Sequence, residues 1–247
     1  MNRQEKTIIL FSSLFLTVAV IATLLLPDVF NSIAPSGGQF AGLVLKSKGD
    51  IRIRFGESIN WKKLTAKDKI YSNSYLFTGE DSSANFGFID ESSLSLGSNS
   101  LVYVGLINNK LEKSQNENLQ LELVNGSVQV DLKKLSQIQS IKVADAVIKL
   151  NKKSSTIRLQ NNPDSMEVSI MQGDVQLTSK EGEYNIKSGE KLEIKSGEKS
   201  QVAKMSPELI KEMKKLSDED RKMLMDEFQK NRNISSVIAN LLERLIN

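Results

Sequence analysis

Catalytic chemistry has few candidate residues in this chain, because it contains neither histidine nor cysteine. This excludes histidine-dependent triads, histidine and cysteine metal ligands, thiol nucleophiles and disulfides. Carboxylate pairs remain, and Asp90-Glu91 is the candidate dyad. Adjacent residues of a strand or turn point apart, so a solvated turn is the better interpretation. We therefore expect a protein that is not an enzyme, with no cofactor and no metal site.

Three glycine-containing pairs recur along the chain: Gly49-Asp50, Gly126-Ser127 and Gly173-Asp174. The two Gly-Asp pairs invite a phosphate-binding or calcium-binding interpretation. No glycine-rich loop precedes a helix, however, and no D-x-D-x-D-G run occurs. Each pair is followed by a β-branched residue, any residue and an apolar residue, at unequal spacings along the chain. This pattern indicates strand corners stacked in a similar way rather than a regular solenoid repeat.

The balance of charges favours a body that does not bind nucleic acid. The formal net charge is +3, with 33 basic and 30 acidic residues, and no basic stripe interleaved with aromatics is present. Arg52 and Arg54 lie on one face of a predicted strand. Exposed strand cations are a better interpretation of them than a ligand-binding pair. Trp61 is expected to anchor the core rather than to form a binding platform.

An uncharged apolar run, Ile8–Leu26, follows a short N-terminal segment that carries Arg3 and Lys6. About 19 residues at 1.5 Å per residue span a bilayer core of roughly 30 Å. We expect residues 1–7 in the cytoplasm, a transmembrane signal-anchor helix over 8–26 and a linker over 27–38. A cleaved signal peptide is the alternative, but the small-x-small site Ser32-Ile33-Ala34 lies well beyond the apolar run.

The residues from 39 to 200 alternate between apolar and polar in short runs, which predicts a mainly β domain. The clearest stretch is Leu76–Tyr103, where turn residues separate the runs. Leu119, Leu121 and Leu123 precede Asn125-Gly126, and Val128, Val130 and Leu132 follow it. This arrangement predicts a β-hairpin with a tight turn at Asn125-Gly126.

The stretch from Gly42 to Tyr103 resembles the FecR domain family. The matching segments are Gly42-Leu43-Val44, Arg54-Phe55-Gly56, Trp61-Lys62-Lys63-Leu64 and a run from Thr78 to Ser100. The residues that carry this fold motif are Trp61, Leu64, Thr78, Ala84, Phe88, Asp90, Ser92, Leu94 and Leu96. Three positions where the family has glycine hold Lys67, Asn73 and Glu91 instead. Lysine and glutamate tolerate a positive φ poorly, so the turns there, though not the strand register, are in question.

The resemblance implies short stacked strands in a solenoid-like, two-layered β-module, with a β-sandwich as the alternative. It also implies a non-catalytic recognition or signalling module, anchored in the bacterial inner membrane through Ile8–Leu26, with its bulk in the periplasm and a protein partner there. About seven residues precede the apolar run, too few to fold a sigma-factor-binding domain. Direct sigma-factor regulation is therefore not carried over from the family.

Residues 201–247 are expected to form a C-terminal helical segment of three helices, starting near Ser206, Ser217 and Ile234. Ser206-Pro207 is a helix-start signal, and Ser217-Asp218-Glu219-Asp220 is interpreted as the acidic first turn of a second helix. The last helix carries a wide apolar stripe of Ile234, Val237, Ile238, Leu241, Leu242 and Leu245. This stripe is the candidate partner-binding surface, either for a cell-envelope scaffold or for self-association. Packing within its own chain is the competing interpretation.

Overall fold

A computed structural model describes residues 38–88, 90–107, 118–133, 136, 138–150, 154–195 and 200–246, and side chains of the last helix up to Asp226 and at Gln229. The predicted anchor 8–26 and nearly all of the linker 27–38 lie outside these residues. Among the described residues, no helix has the length and hydropathy to cross a membrane.

Seventeen strands and one helix make up the described part of the chain, so the mainly β prediction is confirmed. The elements are β1 (Phe40–Lys48), β2 (Ile51–Phe55), β3 (Lys62–Lys63), β4 (Lys69–Tyr71), β5 (Ser74–Thr78), β6 (Ser83–Phe88), β7 (Ser93–Leu96), β8 (Leu101–Ile107), β9 (Asn118–Leu132), β10 (Ile138–Val143), β11 (Ala146–Leu150), β12 (Ser155–Asn162), β13 (Ser165–Gln172), β14 (Val175–Ser179), β15 (Gly182–Ile186), β16 (Glu190–Lys195), β17 (Gln201–Lys204) and α1 (Pro207–Ile246). The last strand, β17, lies in the segment that was expected to be helical.

The strands form two sheets that share β9. Sheet I has the order β4–β1–β6–β7–β9–β12–β13–β16–β17. Sheet II has the order β3–β2–β5–β8–β9–β10–β11–β14–β15. The alternate residues of both sheets contribute to one buried apolar cluster, which contains Phe86, Phe88, Ile53, Leu121 and Ile157 among others. The core therefore lies between two layers.

The predicted hairpin at Asn125-Gly126 is wrong, because β9 runs through this dipeptide as a single strand. Its first half pairs with β8 and β10 in sheet II, and its second half pairs with β7 and β12 in sheet I. The inward residues change from odd numbers, such as Leu123, to even numbers, such as Val128, on crossing Gly126. A strand that changes sheets must change the face it turns to the core, and Gly126 at φ 90° provides that bend.

The same device occurs at the two other glycine pairs, which confirms that they are similar corners. Gly49 connects β1 of sheet I to β2 of sheet II, and Gly173 connects β13 of sheet I to β14 of sheet II. Their φ angles are 82° and 89°. A Cβ atom at any of the three glycines would overlap a serine, namely Ser82, Ser100 or Ser155.

Two of these corner serines also accept a hydrogen bond from the residue that follows the glycine. The Asp50 N–H donates to Ser82 Oγ, and the Ser127 N–H donates to Ser100 Oγ, each at 2.9 Å. The serine therefore satisfies a backbone donor at the point where the chain passes from one sheet to the other.

The three positions that depart from the family's glycines keep a positive φ. Lys67, Asn73 and Glu91 have φ angles of 74°, 58° and 63°. Neighbouring contacts hold these turns: the Lys67 N–H donates to the Val44 carbonyl at 2.7 Å, and the Glu91 N–H donates to the Phe88 carbonyl at 3.1 Å. The surrounding structure thus imposes a conformation that costs about 1–2 kcal/mol for a residue with a Cβ.

The three predicted C-terminal helices are one continuous helix of 40 residues. No glycine occurs between Pro207 and Ile246 and no proline follows Pro207, so the sequence contains no strong helix breaker. Ser217 and Asp220 do not start a new helix. Both side chains are buried against sheet I instead.

We expect Gly126→Ala to destabilise the protein more than Gly189→Ala. Both glycines have a positive φ, 90° and 83°, which costs an alanine about 1–2 kcal/mol. At Gly126 the added Cβ also overlaps Ser100, whereas at Gly189 it meets nothing within 4 Å. Overpacking typically costs a further 1–3 kcal/mol or so. Urea unfolding of both variants measures the difference, and equal losses would contradict the corner role of Gly126.

Candidate recognition surfaces

The outer face of sheet II carries a contiguous group of aromatic side chains around one arginine. We call it the aromatic–arginine face, defined as Arg54, Trp61, Tyr75, Phe77 and Tyr103. The strand register places Arg54 opposite Tyr75, and Tyr75 opposite Tyr103. The residues between them in the strands, such as Ile53, Leu76 and Val102, are buried in the core, so the face points away from it.

Ring contacts hold the aromatic–arginine face together. The Arg54 guanidinium lies 4.3 Å from the centre of the Tyr75 ring and 5.3 Å from the Trp61 ring. Trp61 packs edge-on against Phe77 at 5.9 Å, and the Tyr75 and Tyr103 ring centres are 4.8 Å apart. Stacking between two rings restricts the guanidinium to one orientation.

Trp61 lies on the surface and not in the core, contrary to expectation. Its side chain is 38% exposed, because it follows the turn after β2 and covers Arg54 from the solvent side of the sheet. Leu64, three residues later, is the member of that motif that enters the core, with 3% exposure. The sequence spacing identified the pair but could not say which residue faced inward.

Tyr103 connects the aromatic–arginine face to a polar margin. Its hydroxyl donates to Asn73 Oδ1 at 2.9 Å. Burial, together with the nearby Tyr75 and Glu122, raises the pKa of Tyr103. The phenol therefore stays protonated at neutral pH and remains a hydrogen-bond donor.

The outer face of sheet I is polar and is covered by the first half of α1. Its cross-strand rows contain Asn85, Ser93, Ser95, Gln129, Asp131, Thr156 and Arg158. The buried face of the helix consists of Met213, Ser217, Asp220 and Leu224, at spacings of four, three and four residues. Helix and sheet therefore meet through hydrogen bonds as well as apolar contacts.

Asp220 is the centre of that interface. It is fully buried, and its carboxylate accepts hydrogen bonds from Asn85 Nδ2 at 2.5 Å and from Ser95 Oγ. Burial raises the pKa of Asp220 to about 6, and the neighbouring Asp131 carboxylate raises it in the same direction. The hydrogen bonds from Ser95 and Asn85 lower it in part.

Asp131 is a second carboxylate in the same interface. Burial raises its pKa as well, against the opposing effects of Thr156, Ser217, Gln129 and Arg221. Neither of its carboxylate oxygens, although both are buried, makes a hydrogen bond of ordinary geometry. Asp131 borders a cavity of about 110 Å³ between α1 and sheet I.

Three further contacts attach α1 to sheet I. Gln129 Nε2 donates to the Met213 carbonyl at 2.9 Å, and Arg158 forms a 2.7 Å ion pair with Glu212. Leu224 lies against Gly87, where an added Cβ would come within 2.5 Å of the leucine Cδ2. A helix docked by polar contacts can leave a sheet at a lower free-energy cost than one docked on a purely apolar surface.

Apart from Trp61, the fold-motif residues named from the sequence lie at neither surface. Thr78, Ala84, Ser92, Leu94 and Leu96 are buried between the sheets or at their corners. Thr78 Oγ1 donates to the Gly97 carbonyl at 2.6 Å, which stabilises a turn. Asp90 belongs to a turn: its Oδ1 accepts from the Ser92 N–H and its Oδ2 from Ser136 Oγ, each at 2.9 Å. Phe88 is in the core.

The side chains of the C-terminal stripe Ile234, Val237, Ile238, Leu241, Leu242 and Leu245 lie outside the described residues, although the α1 backbone includes these positions. The sequence interpretation missed Asn85, Asp131 and Asp220. The buried positions 213, 217, 220 and 224 have helical spacing, but Ser217 and Asp220 are polar. A search for an apolar stripe therefore does not recognise this face of the helix.

Comparison with known proteins supports the family resemblance. The family model described as FecR protein matches residues 74–176. The match overlaps the motif from Ser74 to Tyr103, extends into β14, and leaves out Arg54 and Trp61. The resemblance to the FecR family is therefore confirmed for that range.

No curated protein sequence matches the chain. Two crystal structures of a putative anti-sigma factor from Parabacteroides distasonis ATCC 8503, at 2.50 and 1.65 Å resolution, align with it at 10% identity and TM-scores of 0.45 and 0.43. Each alignment covers 53% of this chain and 60% of the other chain.

We expect the docking of α1 to strengthen on acidification. The docked state raises the pKa of Asp220 from its ordinary value of 3.8 to about 6, so it binds the proton more tightly than the undocked state. The stabilisation is complete below pH 4, is lost as the pH rises to 6 and stays lost above it. At 1.36 kcal/mol per unit, the change is about 3 kcal/mol.

The test is urea unfolding and amide exchange in α1 from pH 4 to pH 8. Asp220→Asn keeps the shape without the charge, so it should flatten the pH dependence and stabilise the protein at pH 8. Asp218→Asn, an exposed position on the same helix, is the matched control and should leave the profile unchanged. An unchanged profile in Asp220→Asn would contradict the assignment.

Proposed function

We propose that this protein is a non-catalytic recognition or signalling module of the bacterial cell envelope. In this proposal the run Ile8–Leu26 anchors the chain in the inner membrane, and the β-domain lies in the periplasm. The FecR match over residues 74–176 supports the signalling assignment. The uncharged apolar run, with basic residues before it, supports the anchor and its orientation.

One observation carries the recognition role: the two outer faces of the β-domain differ. The face of sheet I is covered by α1 from Met213 to Leu224. The face of sheet II presents the aromatic–arginine face, with Trp61 38% exposed. Tryptophan, tyrosine and arginine are the residues most enriched at the energetic centres of protein interfaces. We infer that the β-domain binds a protein partner there.

A second candidate function is a cell-envelope scaffold that docks through the end of α1. One observation favours it: α1 continues without interruption from the docked segment to Ile246. The predicted apolar stripe thus belongs to the same helix that sheet I holds in place. In this alternative, removal of residues 234–247 would abolish partner binding, and self-association through the stripe is one form of it.

Site-specific photocrosslinking in living cells distinguishes the two candidates. A photoreactive phenylalanine analogue at Phe77 should crosslink to a defined protein. The crosslink should also form in a truncated chain that ends at Asn233 and therefore lacks the apolar stripe. The same analogue at Lys149, an exposed position on the same outer face, should not. Crosslinks that form at Ile238 and not at Phe77 would favour the scaffold and contradict recognition by the aromatic–arginine face.

The proposed orientation is testable with introduced cysteines, since the chain has none of its own. Lys187→Cys places a thiol on an exposed turn of the β-domain, and Gln4→Cys places one before the apolar run. A maleimide that cannot cross the inner membrane should label Lys187→Cys in intact spheroplasts. It should label Gln4→Cys only after the spheroplasts are lysed. The reverse result would refute the periplasmic placement.

A further inference from the structure

Positive charge surrounds the aromatic–arginine face. Arg52 and Lys63 are paired across β2 and β3 on the same outer face, whereas Lys62 is paired with the inward-facing Ile53 and is exposed on the other side of this edge. The nearby carboxylates are Asp50, Glu57 and Glu122, of which Glu122 lies opposite Tyr103. Glu122 is paired with Lys142 at 3.0 Å, so the cations Arg52, Arg54 and Lys63 are opposed by Asp50 and Glu57.

Asp50 is already engaged. It forms a 2.7 Å ion pair with Arg52, and this contact holds the pKa of the Asp50 carboxyl below its usual value. Arg52 is thereby largely neutralised. Arg54 and Lys63 then outnumber the exposed Glu57, which gives the face a local excess of positive charge.

Arg54 lacks the anionic partner that other described strand arginines have. Arg52 pairs with Asp50, and Arg158 pairs with Glu212. Within the described residues Arg54 makes no ion pair, and one terminal nitrogen, Nη1, donates to the Ser58 carbonyl at 3.3 Å. Its Nε is buried without a hydrogen-bond partner. The guanidinium is thus oriented by two rings but not neutralised.

An oriented, unpaired guanidinium suits a carboxylate. Arginine binds carboxylates through two parallel hydrogen bonds, and stacking lowers the conformational entropy lost on forming them. The rings of Trp61, Tyr75 and Phe77 around it would contact the methylene groups of a side chain that approaches Arg54.

We propose that the aromatic–arginine face binds an acidic segment of a partner protein, with Arg54 contacting a carboxylate and Lys63 attracting neighbouring acidic residues. This inference rests on the proposed recognition role and adds the chemistry of the partner. A protein segment fits better than an anionic polysaccharide, because the face combines a ring-held arginine with half-buried tyrosines, the composition of protein interfaces.

The protein carries its own reporter for this site, since Trp61 is the single tryptophan of the chain and belongs to the face. The test titrates the full chain in detergent with an octaglutamate peptide, and follows Trp61 emission and the anisotropy of a labelled peptide. We expect saturable binding that weakens with added salt. Octalysine should produce no change.

Four variants locate the binding. Arg54→Gln should weaken octaglutamate binding about 10- to 100-fold, the usual effect of losing a hydrogen bond to a charged group. Arg54→Lys should also weaken it, because lysine keeps the charge but not the planar fork. Lys63→Gln, at an exposed edge position with no packing role, should weaken it less, and Lys149→Gln should leave it unchanged. Unfolding midpoints equal to that of the original protein show that the variants are folded.

The results that overturn the proposal are distinct from those that overturn the recognition role. No binding of octaglutamate, or equal losses in Arg54→Gln and Lys149→Gln, would refute the acidic segment. Dextran sulfate that binds as tightly as octaglutamate and is unaffected by Arg54→Gln would show general polyanion binding, which also refutes it. If the Phe77 crosslink persists in either case, the partner chemistry is wrong and the recognition surface stands.

Discussion

The change of inward-facing residues at each sheet crossing is the constraint on which the fold depends. A strand buries every second residue, so a chain that passes from one layer to the other must shift its alternation by one residue. Glycines 49, 126 and 173 make this shift with φ angles of 82° to 90°. A serine from a neighbouring strand or turn lies against each glycine. Without these corners, one of the two strand segments at each crossing would turn its apolar residues to solvent.

The two-layered core leaves two outer faces, and these faces differ in the residues they carry. Sheet I presents hydroxyls, amides and carboxylates, which a helix covers through Asp220, Gln129 and Arg158. Sheet II presents aromatic rings stacked around Arg54. A buried carboxylate interface is a weak source of stability, because desolvation opposes the hydrogen bonds it gains. It suits a helix whose attachment changes with pH. Among the described residues, α1 covers sheet I and not sheet II.

Sequence reasoning succeeded where the signal was local and periodic. Alternation located most strands, and the recurring glycine pairs were interpreted as corners. Sequence reasoning failed where a local turn or helix-start signal was overridden by the packing of the surrounding elements. Asn125-Gly126 is a strong hairpin signal, yet β9 continues through it, because pairing with four other strands outweighs the turn preference of two residues. Ser217 to Asp220 has the composition of a helix start, yet these residues lie inside α1, where burial against sheet I uses their side chains.

The sequence by itself determined the strand-rich body, the corner positions and the absence of histidine and cysteine chemistry, since these follow from residue type and short-range spacing. Tertiary structure alone decided which residues share a surface. Asn85 and Asp220 are 135 positions apart, and Arg54 and Tyr103 come together on either side of Tyr75 through the register of strands distant in sequence. Periodicity shows which residues of a strand face the same side. The packing of whole elements decides whether that side meets the core, a helix or solvent.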